Sequence, residues 1–180
     1  MTINQVILTD SANYICEASN GNTFRNTSVI TVSPRSSPTP PILNGPTRLT
    51  MGETGTWTCI SRGGYPEQRM GMRIGNSNFN NELSVQSVFD NSARTYTLTG
   101  TLRWQPNMGH NGMTVFCDVT HPETLSAPQT VSLPLTVLSP LSVNAPVTFY
   151  NPTEATSVTL TCVVTSGTAT GIRWYKNNQQ

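Results

Sequence analysis

Charge is scarce in these 180 residues. Asp, Glu, Lys and Arg make up 11% of the chain and the net charge is +1, against the ~25% charged residues usual in soluble domains. Such a chain sets up no basic field to draw nucleic acid and carries no acidic tail. No run of ~18 apolar residues occurs, so no segment here spans a membrane as a helix. The N-terminus has no charged region followed by an apolar core, so no signal peptide is visible. If the protein is secreted or anchored, those signals are expected outside these residues. No GxSxG, P-loop or GxGxxG is present, and no paired carboxylates stand out. The only histidines are His110 and His121. Without clustered Cys, Asp or Glu they read as a turn histidine and a strand-end histidine rather than metal ligands. The expectation is no catalysis, no cofactor and no metal. No amphipathic helix of useful length is found either.

Ser, Thr, Asn, Gly and Pro fill the gap, a mix that favours short strands and many turns. Two proline-rich stretches, 33–42 and 139–146, read as linkers, since proline denies donors to a sheet and stiffens the chain. The segment between them has the length of one domain. It carries runs in which apolar and polar residues alternate. In 54–61 Trp57 and Cys59 share a face. In 95–104 Tyr96, Leu98, Leu102 and Trp104 do so, and in 113–119 Met113, Val115, Cys117 and Val119. The run 130–138 groups Val131, Leu133, Leu135 and Val137. Period-two alternation between turn residues predicts a half-buried antiparallel sheet, and several short strands in one domain predict a sandwich. The ends repeat parts of the pattern: 3–10, 13–19 and 26–32 on one side, 147–150, 157–164 and 171–176 on the other. Each end is too short to bury a core of its own.

Four cysteines, Cys16, Cys59, Cys117 and Cys162, lie 43, 58 and 45 residues apart. None forms a CxxC, so wide spacing in a strand-rich chain points to long-range disulfides and an oxidising compartment. The sequon Asn26-Thr27-Ser28 agrees with that location and makes Asn26, in the turn region before a strand, a candidate glycan site.

Asp10-Ser11-Ala12-Asn13-Tyr14-Ile15-Cys16 resembles the D-x-A/G-x-Y-x-C of the immunoglobulin superfamily. The resemblance makes Tyr14 a tyrosine-corner residue and Cys16 the second cysteine of an intersheet disulfide. Leu160-Thr161-Cys162 and Trp174-Tyr175-Lys176 are similar to that family's first cysteine and core tryptophan. In the middle, Cys59, Gly63-Gly64-Tyr65-Pro66, His110-Asn111-Gly112, Cys117 and His121-Pro122 resemble the constant-like set of nectin- and nephrin-type adhesion molecules. The resemblance implies an all-β chain of tandem immunoglobulin-like β-sandwiches, one complete and two truncated. It implies the C-terminal part of one domain at 1–34, a complete domain at 35–139 and the N-terminal part of a third at 140–180. Cys59 and Cys117 are then paired, and the partners of Cys16 and Cys162 lie outside these residues. Met72 falls where the family has its core tryptophan, with Trp57 or Trp104 available to supply the missing aromatic bulk. Val115 stands where many members carry the corner tyrosine, so the middle domain is expected to lack that corner.

For contacts, Arg62, Arg69 and Arg73 are close in sequence and suggest a basic patch for an acidic partner or a sulfated glycan, or else ordinary solvated charge. Phe79, in a polar stretch, either anchors a partner or tucks into its own domain. The resemblance implies a cell-surface adhesion or recognition protein, membrane-anchored beyond these residues, that binds a protein partner, homophilic or of the same superfamily. A secreted multi-domain matrix protein, or the ectodomain of a receptor kinase or phosphatase, carries the same modules.

Overall fold

The structure, a computed structural model, describes residues 1–21, 25–145, 151–167 and 169–176. In chain order the first strands are β1 (Ala12–Ser19) and β2 (Arg25–Val32). Then come β3 (Ile42–Asn44), β4 (Arg48–Thr50), β5 (Gly55–Gly64), β6 (Arg69–Ile74), β7 (Ser77–Asn78) and β8 (Leu83–Asp90). They are followed by β9 (Thr95–Trp104), β10 (Thr114–Thr120), β11 (Gln129–Pro134), β12 (Thr136–Leu138), β13 (Ser142–Asn144) and β14 (Val163–Ser166). The chain divides by contact into two units. One comprises Met1–Gly45, Thr56–Arg103 and Thr114–Leu133; the other comprises Pro46–Gly55, Trp104–Met113 and Pro134–Gln180.

The first unit holds two four-stranded sheets, ordered β3-β5-β9-β8 and β11-β10-β6-β7. Their facing sides form the core. Trp57, Cys59, Leu102, Val115, Cys117 and Val119 are 0% exposed, so the alternation in the sequence does sort the side chains inward and outward. A disulfide joins Cys59 on β5 to Cys117 on β10 across the two sheets. Met72 lies opposite Cys117 in the β6–β10 register and is buried. The aromatic bulk comes from Trp57, two residues before Cys59 on the same face. Gly45 leaves room for its ring, since a Cβ there would come within 2.2 Å of the indole. The same unit contains the β1–β2 pair, in register from Ala12↔Val32 to Ser19↔Arg25.

The motif residues 63–66 and 121–122 meet in space. The buried His121 donates from Nε2 to the Pro66 carbonyl at 2.8 Å, and its Nδ1 is 2.9 Å from the Thr124 hydroxyl. A carbonyl only accepts, so Nε2 carries the proton and Nδ1 is left to accept from Thr124. Gly64 makes room for the buried Gln68, whose amide nitrogen donates to the carbonyls of Ser61 and Tyr96.

In the second unit β12 pairs with β4 in parallel, from Thr136↔Arg48 to Leu138↔Thr50. The run 130–138 is thereby two strands, not one. Pro134 has no N–H to continue a ladder, and Leu135 instead exchanges backbone hydrogen bonds with Gly112 and Met113. Leu135 and Val137 are buried as the alternation predicts, whereas Met113 is 37% exposed.

Two turns of like design precede Cys16 and Cys117. At Leu8–Asp10 a 3-10 turn is closed by Asp10 Oδ2, which accepts from Ile7 N–H at 2.8 Å, and Tyr14 Oη donates to the Asp10 carbonyl at 3.1 Å. At Met108–His110 the matching bond runs from Asn107 N–H to His110 Nδ1 at 3.2 Å. Here the tyrosine corner is missing, and the His110 ring meets Trp104 edge-on at 4.5 Å.

Several expectations at the ends are corrected. Residues 3–10 form no strand, their only regular element being the 3-10 turn. Of 157–164 only Val163 and Val164 belong to a strand, and 171–175 belong to none. The stretch 147–150 lies outside the described residues. Trp174 is not a core residue: it is 52% exposed. The physical reason is that β13 and β14 make a two-stranded sheet, and a single pair of strands has no opposing layer to enclose an indole.

Three outcomes are expected. Thiol titration of the denatured, unreduced chain finds two reactive groups, Cys16 and Cys162, which are free; four would eliminate the intersheet bond. Met72→Ala lowers stability by about 2–5 kcal/mol in denaturant unfolding, and Met72→Asp prevents folding because it buries an unpaired charge. His121→Ala strands the Pro66 carbonyl and costs about 1–3 kcal/mol; an unchanged midpoint would show the bond contributes nothing.

Candidate interaction surface

Because Val115, Cys117 and Val119 point into the core, Phe116, Asp118 and Thr120 must point out. On β6 the buried Met72 and Ile74 turn Arg69, Gly71 and Arg73 outward. The register sets three rungs on this face: Phe116 opposite Arg73, Asp118 opposite Gly71, and Thr120 opposite Arg69. Arg73 is fully committed. Its Nε donates to Asp118 Oδ2 at 2.8 Å, its Nη1 donates to the Gly75 carbonyl at 3.1 Å, and its guanidinium lies 3.7 Å above the Phe116 ring. Asp118 is shared, accepting also from the Thr130 hydroxyl at 2.6 Å.

The middle rung has no side chain on β6, and Asn80 drops into the gap. Its Oδ1 accepts from Met72 N–H at 3.0 Å, and a Cβ on Gly71 would lie 2.9 Å from that oxygen. The result is an open cleft of about 340 Å³ whose apolar lining includes Met70 and Met72 and whose polar groups come from Arg69, Arg73, Asn78, Asn80, Asp118 and Thr120. The Arg73–Asp118 pair neutralises itself. Arg69 is exposed and takes part in no ion pair among the described residues. The cleft therefore offers one unpaired guanidinium beside amide and hydroxyl groups, a combination suited to a carboxylate or carbonyl from a partner.

The three arginines do not form one patch. Arg69 and Arg73 share this cleft, but Arg62 lies on β5 in the other sheet. Arg73 is not a free contact residue, being occupied within the sheet. Phe79 is half-buried at the end of the β7 hairpin, its backbone N–H donating to the Met72 carbonyl at 3.0 Å. Asn26 is exposed, but inside β2 opposite Ala18 rather than in a turn. Tyr14 is half-buried, Cys16 is exposed and Cys162 is half-buried. Among the described residues no group of three or more His, Cys, Asp or Glu converges on a metal position.

Sequence reasoning missed Asp118, Phe116 and Asn80. The first two were readable, since whatever flanks a core cysteine in a strand faces outward. It also missed an aromatic group on the other sheet. Phe89 of β8 packs on Tyr96 of β9 at 4.8 Å, and Tyr65 stacks on Tyr96 at 6.4 Å. The turn after β8 is closed by Asp90, whose carboxyl is held below the usual range by the Ser92 hydroxyl and the N–H groups of Ala93 and Ser92.

The model of the CD80-like C2-set immunoglobulin domain matches residues 37–127, about half of the chain. Among solved structures, Rst D1-D2 is similar at 18% identity and a TM-score of 0.63, over 73% of this chain and 66% of that one. The full ectodomain (Ig1–Ig3) of mouse nectin-like molecule 4 is similar at 15% identity and a TM-score of 0.62, over 89% of this chain and 54% of that one. Bovine butyrophilin matches at 15% identity and a TM-score of 0.57, over 72% and 58%. The chain thus spans between about half and two-thirds of these structures. No curated protein matches the sequence significantly. Family match, paired sheets and intersheet disulfide agree, and the chain belongs to the CD80-like C2-set immunoglobulin domain family.

Proposed function

We propose that this chain is part of the ectodomain of a cell-surface adhesion or recognition protein and that it works by binding another protein, without a chemical step. In this reading 35–139 is one complete immunoglobulin-like domain and 1–34 and 140–180 belong to its neighbours in a row of such domains. The row is anchored to a membrane outside these residues. No helix among the described residues is long and apolar enough to cross a membrane. Asn26 carries a glycan, and its exposure on β2 supports access by the modifying enzyme. The cysteines Cys16 and Cys162 pair within the neighbouring domains.

The observation that carries the reading is the outer face of β11-β10-β6-β7. A sheet face that only needed to meet water would be covered by solvated charge. This one ties Arg73 to Asp118 and to the Phe116 ring beside a cleft and leaves Arg69 available. Pre-set side chains lose little entropy on binding, which is how a small cleft contributes to recognition. The partner is a protein that presents an acidic or carbonyl group to Arg69, either a second copy or a related immunoglobulin-superfamily molecule.

Beads coated with the chain should cluster with one another or adhere to cell monolayers. Arg69→Glu should reduce either response about tenfold or more, because it replaces attraction with repulsion at a single contact. Arg62→Glu, on the other sheet, should leave it unchanged. Equal adhesion by all three proteins would remove the cleft from the reading.

A further inference from the structure

The two four-stranded sheets have four edges between them, and these are not alike. β7 is two residues long, β3 is three and follows Pro40-Pro41, and β11 is flanked by Pro128 and ends at Pro134. Short strands and prolines are the usual means of stopping a sheet from adding another strand. β8, the remaining edge, has none of them. It is eight residues long, Leu-Ser-Val-Gln-Ser-Val-Phe-Asp, contains no proline or lysine, and is charged only at Asp90. Every residue after Leu83 is exposed, and Val85, Val88 and Phe89 are 43%, 56% and 36% accessible. It pairs with β9 along its full length on one side. Among the described residues no strand lies on its other side.

We infer that β8 is a self-association edge, on which β8 of a second copy of this chain adds antiparallel across a two-fold axis centred on Ser87. The sequence of the strand selects the occupant and the register. Two identical edges related by a two-fold axis turn the same alternate backbone groups outward, so some residue must fall opposite itself. Centring on Gln86 would set Glu82 directly against Asp90, like charge on like. Centring on Ser87 sets Val85 against Phe89 on one face, and Gln86 against Val88 and Ser84 against Asp90 on the other. The Ser84 hydroxyl then faces a carboxylate. Glu82, just before β8, falls opposite Ser92 of the other copy and within reach of its Arg94. Both Glu82 and Arg94 are exposed and outside every ion pair among the described residues, and the axis brings the two charges together at both ends of the ladder. Arg94 also borders an open cleft with Ile7–Thr9 and Pro34–Ser36, which leaves it solvent-accessible.

The edge is on the opposite sheet from the Arg69 cleft, so failure of this inference leaves that reading standing. The test is sedimentation equilibrium of the full chain after alkylation of the free Cys16 and Cys162, which blocks crosslinking and leaves the Cys59–Cys117 bond intact. The wild-type chain should show reversible, concentration-dependent dimers. Ser87→Lys and Ser87→Glu each place like charges directly opposite at the axis and should weaken the dimer at least tenfold. Both sit at an exposed position, and an unchanged circular dichroism spectrum verifies the fold. An equimolar mixture of the two variants should restore dimers, because lysine then faces glutamate. A wild-type chain that stays monomeric overturns the inference. So does association that Ser87→Lys leaves unchanged, which would belong to another surface. A mixture that fails to recover overturns the two-fold register.

Discussion

The bond between Cys59 and Cys117 sets the terms for the rest of the sandwich. It links β5 to β10, one strand from each sheet, over a separation of 58 residues. Closing a loop of that length removes roughly 4 kcal/mol worth of freedom from the unfolded chain in the entropic account. Its larger effect is geometric. With the two sulfurs in the middle of the core, the odd-numbered residues of β10 must all face in, and its even-numbered residues must all face out. Met72 is placed against the bond by register, and Trp57 by its position two residues from Cys59. The cleft at Arg69 is therefore the reverse side of the same alternation that builds the core.

How far this was legible depended on pattern strength. The runs around Trp57, Leu98 and Val115 alternate cleanly, and their strands and buried faces follow from that pattern, while the immunoglobulin fold was implied by the resemblance of the motifs around the cysteines. β8 does not alternate in this way: Val85 and Phe89 share one side and Val88 lies on the other, because an edge strand exposed on both faces is under no pressure to separate polar from apolar. Arg62 and Arg69 look like neighbours in sequence, yet the chain crosses from one sheet to the other between them. Phe116 and Asp118 carry no motif, and only their position beside a core cysteine marks them. Trp174 shows the reverse limit. A motif position tells what a residue does inside a complete sandwich, and a two-stranded ribbon cannot supply the second layer.

The turns ahead of Cys16 and Cys117 show one architectural task met with different chemistry. Both use a 3-10 turn closed by a side-chain acceptor three residues after the N-cap, a carboxylate at Asp10 and an imidazole nitrogen at His110. The first adds a tyrosine hydroxyl to its own backbone. The second substitutes an edge-on ring contact with Trp104. The neutral imidazole accepts at Nδ1 as the carboxylate does, so the turn survives the change of residue.

The parallel pairing of β4 and β12 has a mechanical meaning. β4 lies near the start of the middle segment and β12 near its end, and both run the same way. Tension along the chain draws Arg48–Thr50 toward the N-terminus and Thr136–Leu138 toward the C-terminus, along the strand axes. The load falls on all three rungs together, in shear, rather than on one rung at a time as in an unzipping hairpin. A chain strung between two attachment points would load this short latch along its whole length at once.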